Sequence, residues 1–276
     1  MVQVVVLLLL LLACRVDPAW SVEAPKQLFN GRDFQHWDRY LGAQEVPWWI
    51  FATPKSTDVL GIDHDPDGVF SIVMEDGDPA IRISGEIWGA LISRQEFEDY
   101  HFSMEVKWGD ERFPPREASP PNSGLLYHSV GPLGAFWTYW MRSAELEILQ
   151  GATGMFVSVD GIRGSIRTSW DRSALFPWLR YDPDGGDTAV GFPVFRVSPS
   201  DDFERPLGQW NRIEIRVVGD SAIHLVNGRT VLEVRDLRHQ VGDELVPLTR
   251  GKLQIQSEGA ELFIRDLSIR PAQPEG

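Results

Sequence analysis

From Val69 onward the chain alternates apolar and polar residues in short runs separated by Gly, Pro, Asp and Asn. A period of two is the signature of a strand with one face buried, because successive side chains point to opposite sides. Thirteen such runs are predicted, among them Tyr100–Trp108, Gly124–Ser129, Ala144–Leu149, Met155–Val159, Val194–Val197, Arg212–Val218, Lys252–Gln256 and Glu261–Ile269. Within them, Phe102, Met104, Val106 and Trp108 oppose His101, Ser103, Glu105 and Lys107. Ile213, Ile215 and Val217 oppose Glu214, Arg216 and Val218, and Leu253 and Ile255 oppose Lys252, Gln254 and Gln256. Asn227-Gly228 between two runs predicts a type I′ hairpin. No segment sustains a helical period. The pattern predicts an all-β chain folded as a two-sheet sandwich or jelly roll with one solvated sheet surface.

Three connections are long enough to rim a groove on that surface: Gly109 to Asn122, the aromatic Gly131 to Arg142, and Ser169 to Gly191. Asp63-His64-Asp65-Pro66-Asp67-Gly68 lacks the distant Glu of a calcium loop and reads as a polar turn.

One run carries the candidate chemistry. In Ala144-Glu145-Leu146-Glu147-Ile148 the apolar residues anchor a core, and parity places both acids together on the opposite face. Paired carboxylates suit acid–base work on sugars, and proximity raises the pKa of one member. Phe136 to Trp140, just upstream, supplies aromatics of the kind that stack on sugar rings. Glu145 is the first candidate for a base and Glu147 its partner, with His128 a candidate ligand or base. Lys107 is a candidate for steadying an anion, Asn122 and Arg142 for bonding hydroxyls, and Trp137 and Trp140 for stacking.

Composition narrows the partners. The 276 residues are 43% hydrophobic, enough for a large core, and carry 26 basic against 40 acidic side chains. A net charge of −14 excludes nucleic acid and anionic membrane surfaces as natural partners and suits a neutral ligand such as a carbohydrate. Residues 1–24 read as a signal peptide or lipoprotein leader. Val4 to Ala13 is an unbroken apolar run too short to span a bilayer. Leu11-Leu12-Ala13-Cys14 resembles a lipobox, and cleavage after Ala19-Trp20-Ser21 is the competing reading. Export to the periplasm or the outer-membrane or cell surface is expected, with membrane attachment only through a lipid on Cys14. Cys14 is the one cysteine, so residues 25–276, read as a single domain, have no disulfide and no cysteine metal site.

An ordered set of motifs resembles the 3-keto-disaccharide hydrolase domain family. It begins with Leu28-Phe29-Asn30-Gly31-Arg32-Asp33 and Trp37, and continues through Asp65-Pro66, Ser84-Gly85-Glu86, Lys107-Trp108-Gly109 and Asn122-Ser123-Gly124. Trp140-Met141-Arg142-Ser143 with Glu145, Trp210-Asn211, Val226-Asn227-Gly228 and Ser257-Glu258-Gly259-Ala260-Glu261 complete it. The resemblance spans nearly all of Leu28 to Arg270. It implies a jelly roll of the concanavalin A-like lectin and glucanase type, and cleavage of glycosides whose sugar carries a ketone at C3. That ketone makes the C2 hydrogen acidic, so a base removes it, the C1 substituent leaves by elimination, and water adds back. A divalent metal ion is one candidate electrophile; no organic cofactor is expected. Two other functions follow from the same residues. A non-catalytic glycan-binding surface lipoprotein needs no base. A retaining β-glucanase needs a carboxylic acid where this chain has Gln150 in the series Glu145, Glu147, Gln150.

Overall fold

The computed structural model describes residues 24–44, 59–173 and 177–272. The expected leader, with Cys14 and both cleavage sites, lies outside them except for Ala24. Two antiparallel sheets account for the described strands. One has eight, ordered β14 (Arg196–Val197), β10 (Met155–Val159), β9 (Arg142–Leu149), β8 (Asn122–Val130), β19 (Lys252–Ser257), β6 (Gly89–Ser93), β2 (Trp37–Ala43) and β3 (Val59–Ile62). The other has twelve. Its main path runs β12 (Trp178–Tyr181), β11 (Arg163–Asp171), β17 (Arg229–Val241), β16 (Ser221–Val226), β15 (Asn211–Val218), β7 (Tyr100–Arg112), β20 (Ala260–Pro271), β5 (Asp78–Ile83) and β4 (Phe70–Glu75). Strands β1 (Lys26–Gln27), β13 (Gly186–Val190) and β18 (Glu244–Pro247) pair with β20, β11 and β17. The all-β, two-sheet jelly roll expected from the pattern is the architecture found, with no helix among the described residues.

The main core lies between the sheets and is built by the alternation. Phe102, Met104, Val106 and Trp108 of β7 meet Leu125 and Tyr127 of β8, Leu146 and Ile148 of β9, and Leu253 and Ile255 of β19. A fully buried Leu or Ile contributes roughly 1.5–3 kcal/mol, so Leu146 and Ile148 hold β9 firmly from beneath. The β16–β17 hairpin turns at Asn227 (φ 50°) and Gly228 (φ 76°), the positive φ pair that a type I′ turn demands. Asp65 accepts the backbone N–H groups of Val69 and Phe70 and Asp63 pairs with Arg39, so the Asp-rich stretch is a turn.

Two expectations change. The segment Ser169 to Gly191 is not a loop at the groove: it holds the end of β11, then β12 and β13, which extend the larger sheet. Arg163–Asp171 escapes the pattern because Ile166 is its only aliphatic residue, and its strand is held by neighbours on both sides. The exposed face of the smaller sheet is also less open than expected. Tyr40, Ala90, Ile92, Leu126, Tyr139, Trp140 and Val157 form a second apolar cluster there, beneath the aromatic segment 131–141.

Candidate functional site

Parity does what the sequence requires of it. Leu146 and Ile148 enter the core, while Glu145 and Glu147 emerge on the opposite face of β9. They do not reach open water. Glu145 is 2% and Glu147 3% exposed, in a cavity of about 70 Å3 lined by Arg116, Phe136, Trp137, Trp140, Val157, Phe195, Arg196, Gln256 and Glu258.

Each wall has a local cause. The aromatic segment is pinned over the sheet: the Trp140 indole donates to the Gly89 carbonyl at 3.0 Å, Tyr40 donates its hydroxyl to the Thr138 carbonyl at 2.9 Å, and the Met141 amide donates to Gln254 at 3.1 Å. Trp140 stacks on Trp88 at 5.7 Å and is itself buried, while Trp137 stacks on Phe136 at 4.3 Å and keeps one side toward the cavity. Trp137 and Thr138 both have positive φ (54° and 71°), uncommon for non-glycine residues and unfavourable for a β-branched one. Arg116 arrives on the loop after β7, which docks by a hydrogen bond from the Phe113 amide to the Gly259 carbonyl at 2.9 Å. Its guanidinium grips Glu258 at 2.5 Å and lies 5.6 Å over Trp88. Arg196 comes from β14 at the sheet edge.

The floor beside Glu145 is glycine for a steric reason. A Cβ on Gly124 would lie 2.0 Å from Glu145 Oε1 and 2.6 Å from Gln256 Oε1. Both oxygens are buried and neither has a hydrogen-bond partner, and Asn122 Oδ1 nearby is in the same state. Both acceptors face the same small space, where a proton on Glu145 or the amide end of Gln256 would pair them.

The electrostatics favour the proton. Burial, then the charges of Glu147 and Glu258, push Glu145 well above the usual carboxylate range, against a downward pull from Arg196 and Arg116. Glu147 is also raised by burial, but Arg196, Arg116 and a hydrogen bond from the Asn122 side chain oppose the rise. Burial raises Glu258 to about 7, opposed chiefly by Arg116. Three carboxyls against two guanidiniums are neutral when one carboxyl keeps its proton, and burial with two like charges beside it favours Glu145 as the holder.

Of the remaining candidates, His128, Lys107 and Arg142 lie elsewhere. His128 sits at a bulge between Tyr127 and Val130 with φ 50°, and its ring packs 6.0 Å from Tyr100 and 5.9 Å from Tyr127, under the strand. Burial lowers it to about 4, so it is neutral. Lys107 belongs to the outer face of the larger sheet, held by Glu75 at 2.5 Å and Asp76 at 2.6 Å. Arg142 bonds Asp160 and the Gln240 carbonyl, outside the cavity. Asn122, Trp137 and Trp140 are at the site with the two acids. Gln150 is exposed in the turn after β9 and does not line the cavity. Among the described residues, no three His, Cys, Asp or Glu side chains are grouped to hold a metal ion. Two guanidiniums beside the carboxyls also disfavour a resident cation, so the donor set does not fit one.

A family model described as the 3-keto-alpha-glucoside-1,2-lyase-like domain matches residues 24–270. Among solved structures, a protein of Parabacteroides distasonis ATCC 8503, assigned provisionally as a glycosyl hydrolase, aligns with a TM-score of 0.50 at 17% identity, over 91% of this chain and 95% of its own. A protein of unknown function with a galectin-like fold from Bacillus subtilis aligns at 0.43 and 11%, over 73% and 87%. A carbohydrate-binding module from the same species aligns at 0.39 and 8%, over 73% and 91%. At such identities the likeness is one of fold. No curated protein matches the chain in sequence.

Proposed function

The chain belongs to the 3-keto-alpha-glucoside-1,2-lyase-like family, and from that premise we propose that it is an exported carbohydrate-active enzyme that cleaves the glycosidic bond of 3-keto-glycosides. The observation that carries this reading is the unequal pair: two carboxyls side by side on one strand, in different protonation environments, in a cavity walled by Trp137.

Elimination across C1–C2 needs a base for the C2 proton and an acid for the leaving oxygen. Sequence reasoning put the base at Glu145; the surroundings of the two groups favour the reverse division. Glu147, steadied as an anion by Asn122 and the guanidiniums, takes the C2 proton. Glu145, which holds a proton, gives it to the departing C1 oxygen. Water then adds across the C1=C2 double bond, so the net change is hydrolysis. Trp137 stacks against the sugar ring, and the buried setting keeps bulk water from competing for the protons. A retaining glucanase is disfavoured, since Gln150 can neither protonate a leaving group nor reach the cavity.

The test is incubation of purified protein with an aryl 3-keto-glucoside and with the parent aryl glucoside, each with and without EDTA. Aglycone release from the keto-sugar alone is expected. No release under any metal condition, with glycan binding retained, would replace the enzyme by a binding protein.

A further inference from the structure

The reaction proposed above leaves a negative charge on the C3 oxygen of the sugar; Glu147 has no proton to donate to it, and the Glu145 proton goes to the departing C1 oxygen. Arg116 is committed: it grips Glu258 and packs on Trp88. Arg196 is not. It is exposed at the mouth of the cavity, and its guanidinium lies 5.4 Å over the Phe195 ring. Among the described residues no carboxylate is ion-paired with it.

Strand register fixes where this free cation stands. Arg196 is opposite Val157 of β10, and Val157 is opposite Glu145 of β9. Cross-strand partners share a face. Arg196, Val157 and Glu145 therefore form one row, with the outer two residues separated by two strand spacings, about 10 Å between Cα atoms. Val157 is a low apolar floor between a cation and an acid, and Phe195 and Trp137, which line the same cavity from outside the row, offer aromatic walls. The stack on Phe195 orients the planar guanidinium, so that its N–H edge is presented without a large ordering cost. The same charge reaches Glu145, Glu147 and Glu258, each of which it pulls toward ionisation.

Resting on the proposed 3-keto-glycoside reaction, we infer that Arg196 is a catalytic residue: its guanidinium donates to the C3 oxygen of a sugar seated over Val157 and stabilises the enolate. In the step, the C2–H electron pair forms the C2=C3 bond as Glu147 takes the proton, and the C3=O π pair moves onto the oxygen facing Arg196. That oxygen pair then re-forms the ketone, C1=C2 forms, and the C1–O bond breaks with its electron pair going to the leaving oxygen, which takes the Glu145 proton. Nothing is oxidised or reduced.

The experiment follows the C2 hydrogen directly, by proton NMR in D2O with methyl 3-keto-glucoside, alongside aglycone release from the aryl substrate. Removing a preorganised oxyanion donor typically costs about 100-fold or more, so Arg196→Gln should lower both rates at saturation by about that factor, with KM changed little. Arg196→Lys, which keeps the charge but not the fork, should recover part of the loss. The side chain is exposed, so thermal unfolding of both variants should match the wild type. Unchanged exchange in Arg196→Gln, or a defect confined to KM, would overturn the assignment while leaving the proposed activity standing. A wild-type protein that neither exchanges nor eliminates would instead sink that activity, and this role with it.

Discussion

The two sheets present similar charged residues on their outward faces and use them in opposite ways. On the larger sheet every charge named here is closed on a partner. Lys107 lies between Glu75 and Asp76, Arg265 bonds Glu105 at 2.8 Å and Asp78 at 3.3 Å and stacks 4.0 Å over Trp210, and His101 bridges Glu214 and Arg270. On the smaller sheet the carboxyls outnumber the guanidiniums, and Glu145, Gln256 and Asn122 each keep a buried acceptor without a donor. Surface pairs of the first kind are worth little individually. Acids withdrawn from water without full pairing cost stability and persist only where packing over-determines them, here through Leu146 and Ile148 beneath. Incomplete pairing, rather than the number of charges, separates a face that can do chemistry from one that only dissolves.

The largest effect should come from exchanging a group on each face. Glu147→Gln removes the base and keeps the shape, and kcat on a 3-keto-glycoside should fall about 10³-fold, as for loss of a general base. Lys107→Met, on the closed face, should leave kcat within about twofold and change thermal stability only slightly, because water still reaches Glu75 and Asp76. If the lysine variant lost turnover as severely as the glutamine variant, the contrast between the faces would collapse.

Gly124→Ala probes the open side more gently. The new methyl would collide with the ends of two flexible side chains, Glu145 and Gln256, rather than with backbone. The chain should fold, and the displaced carboxyl should slow turnover about 30-fold, in line with the cost of misplacing a catalytic group by an ångström. Normal turnover in this variant would show that the position of the Glu145 carboxyl is not used.

How far this face was legible follows from periodicity. The pairing of Glu145 and Glu147 was readable because alternation with Leu146 and Ile148 leaves one solution. Met155–Val159 has the same bounds in the structure as in the pattern. The same counting misplaces His128. Residues 124, 126 and 128 would share the open face, but the bulge after Tyr127 breaks the alternation and turns the imidazole under the strand. Lys107 alternates as expected, yet alternation within a strand does not say to which sheet the strand belongs. Arg116, Arg196 and Glu258 were missed because long-range pairing brings them in. Strand β19 lies beside β8, β14 beside β10, and the loop after β7 docks on Gly259. Phe195-Arg196, an aromatic next to a cation in a short edge run, was the available sign for one of them.

The smallest effect concerns stability and follows from the sign of the carboxyl shifts. A carboxyl whose folded pKa is raised is protonated in both states at low pH and adds no penalty there. Above the unfolded value of about 4.5 the unfolded chain ionises freely while the buried group resists. Stability is therefore lost as pH rises through the interval up to the folded value, an interval that for Glu258 ends near 7. Glu145→Gln places a permanently neutral amide where the acid resists ionisation, so the variant should match the wild type at pH 4 and exceed it at pH 8. A gain of about 3 °C in Tm at the higher pH corresponds to roughly 1 kcal/mol for a chain of this size. Thermal unfolding at both pH values checks it. A wild type as stable as the variant at pH 8 would mean that Glu145 ionises there without penalty, and the open face would then be no less fully paired than the closed one.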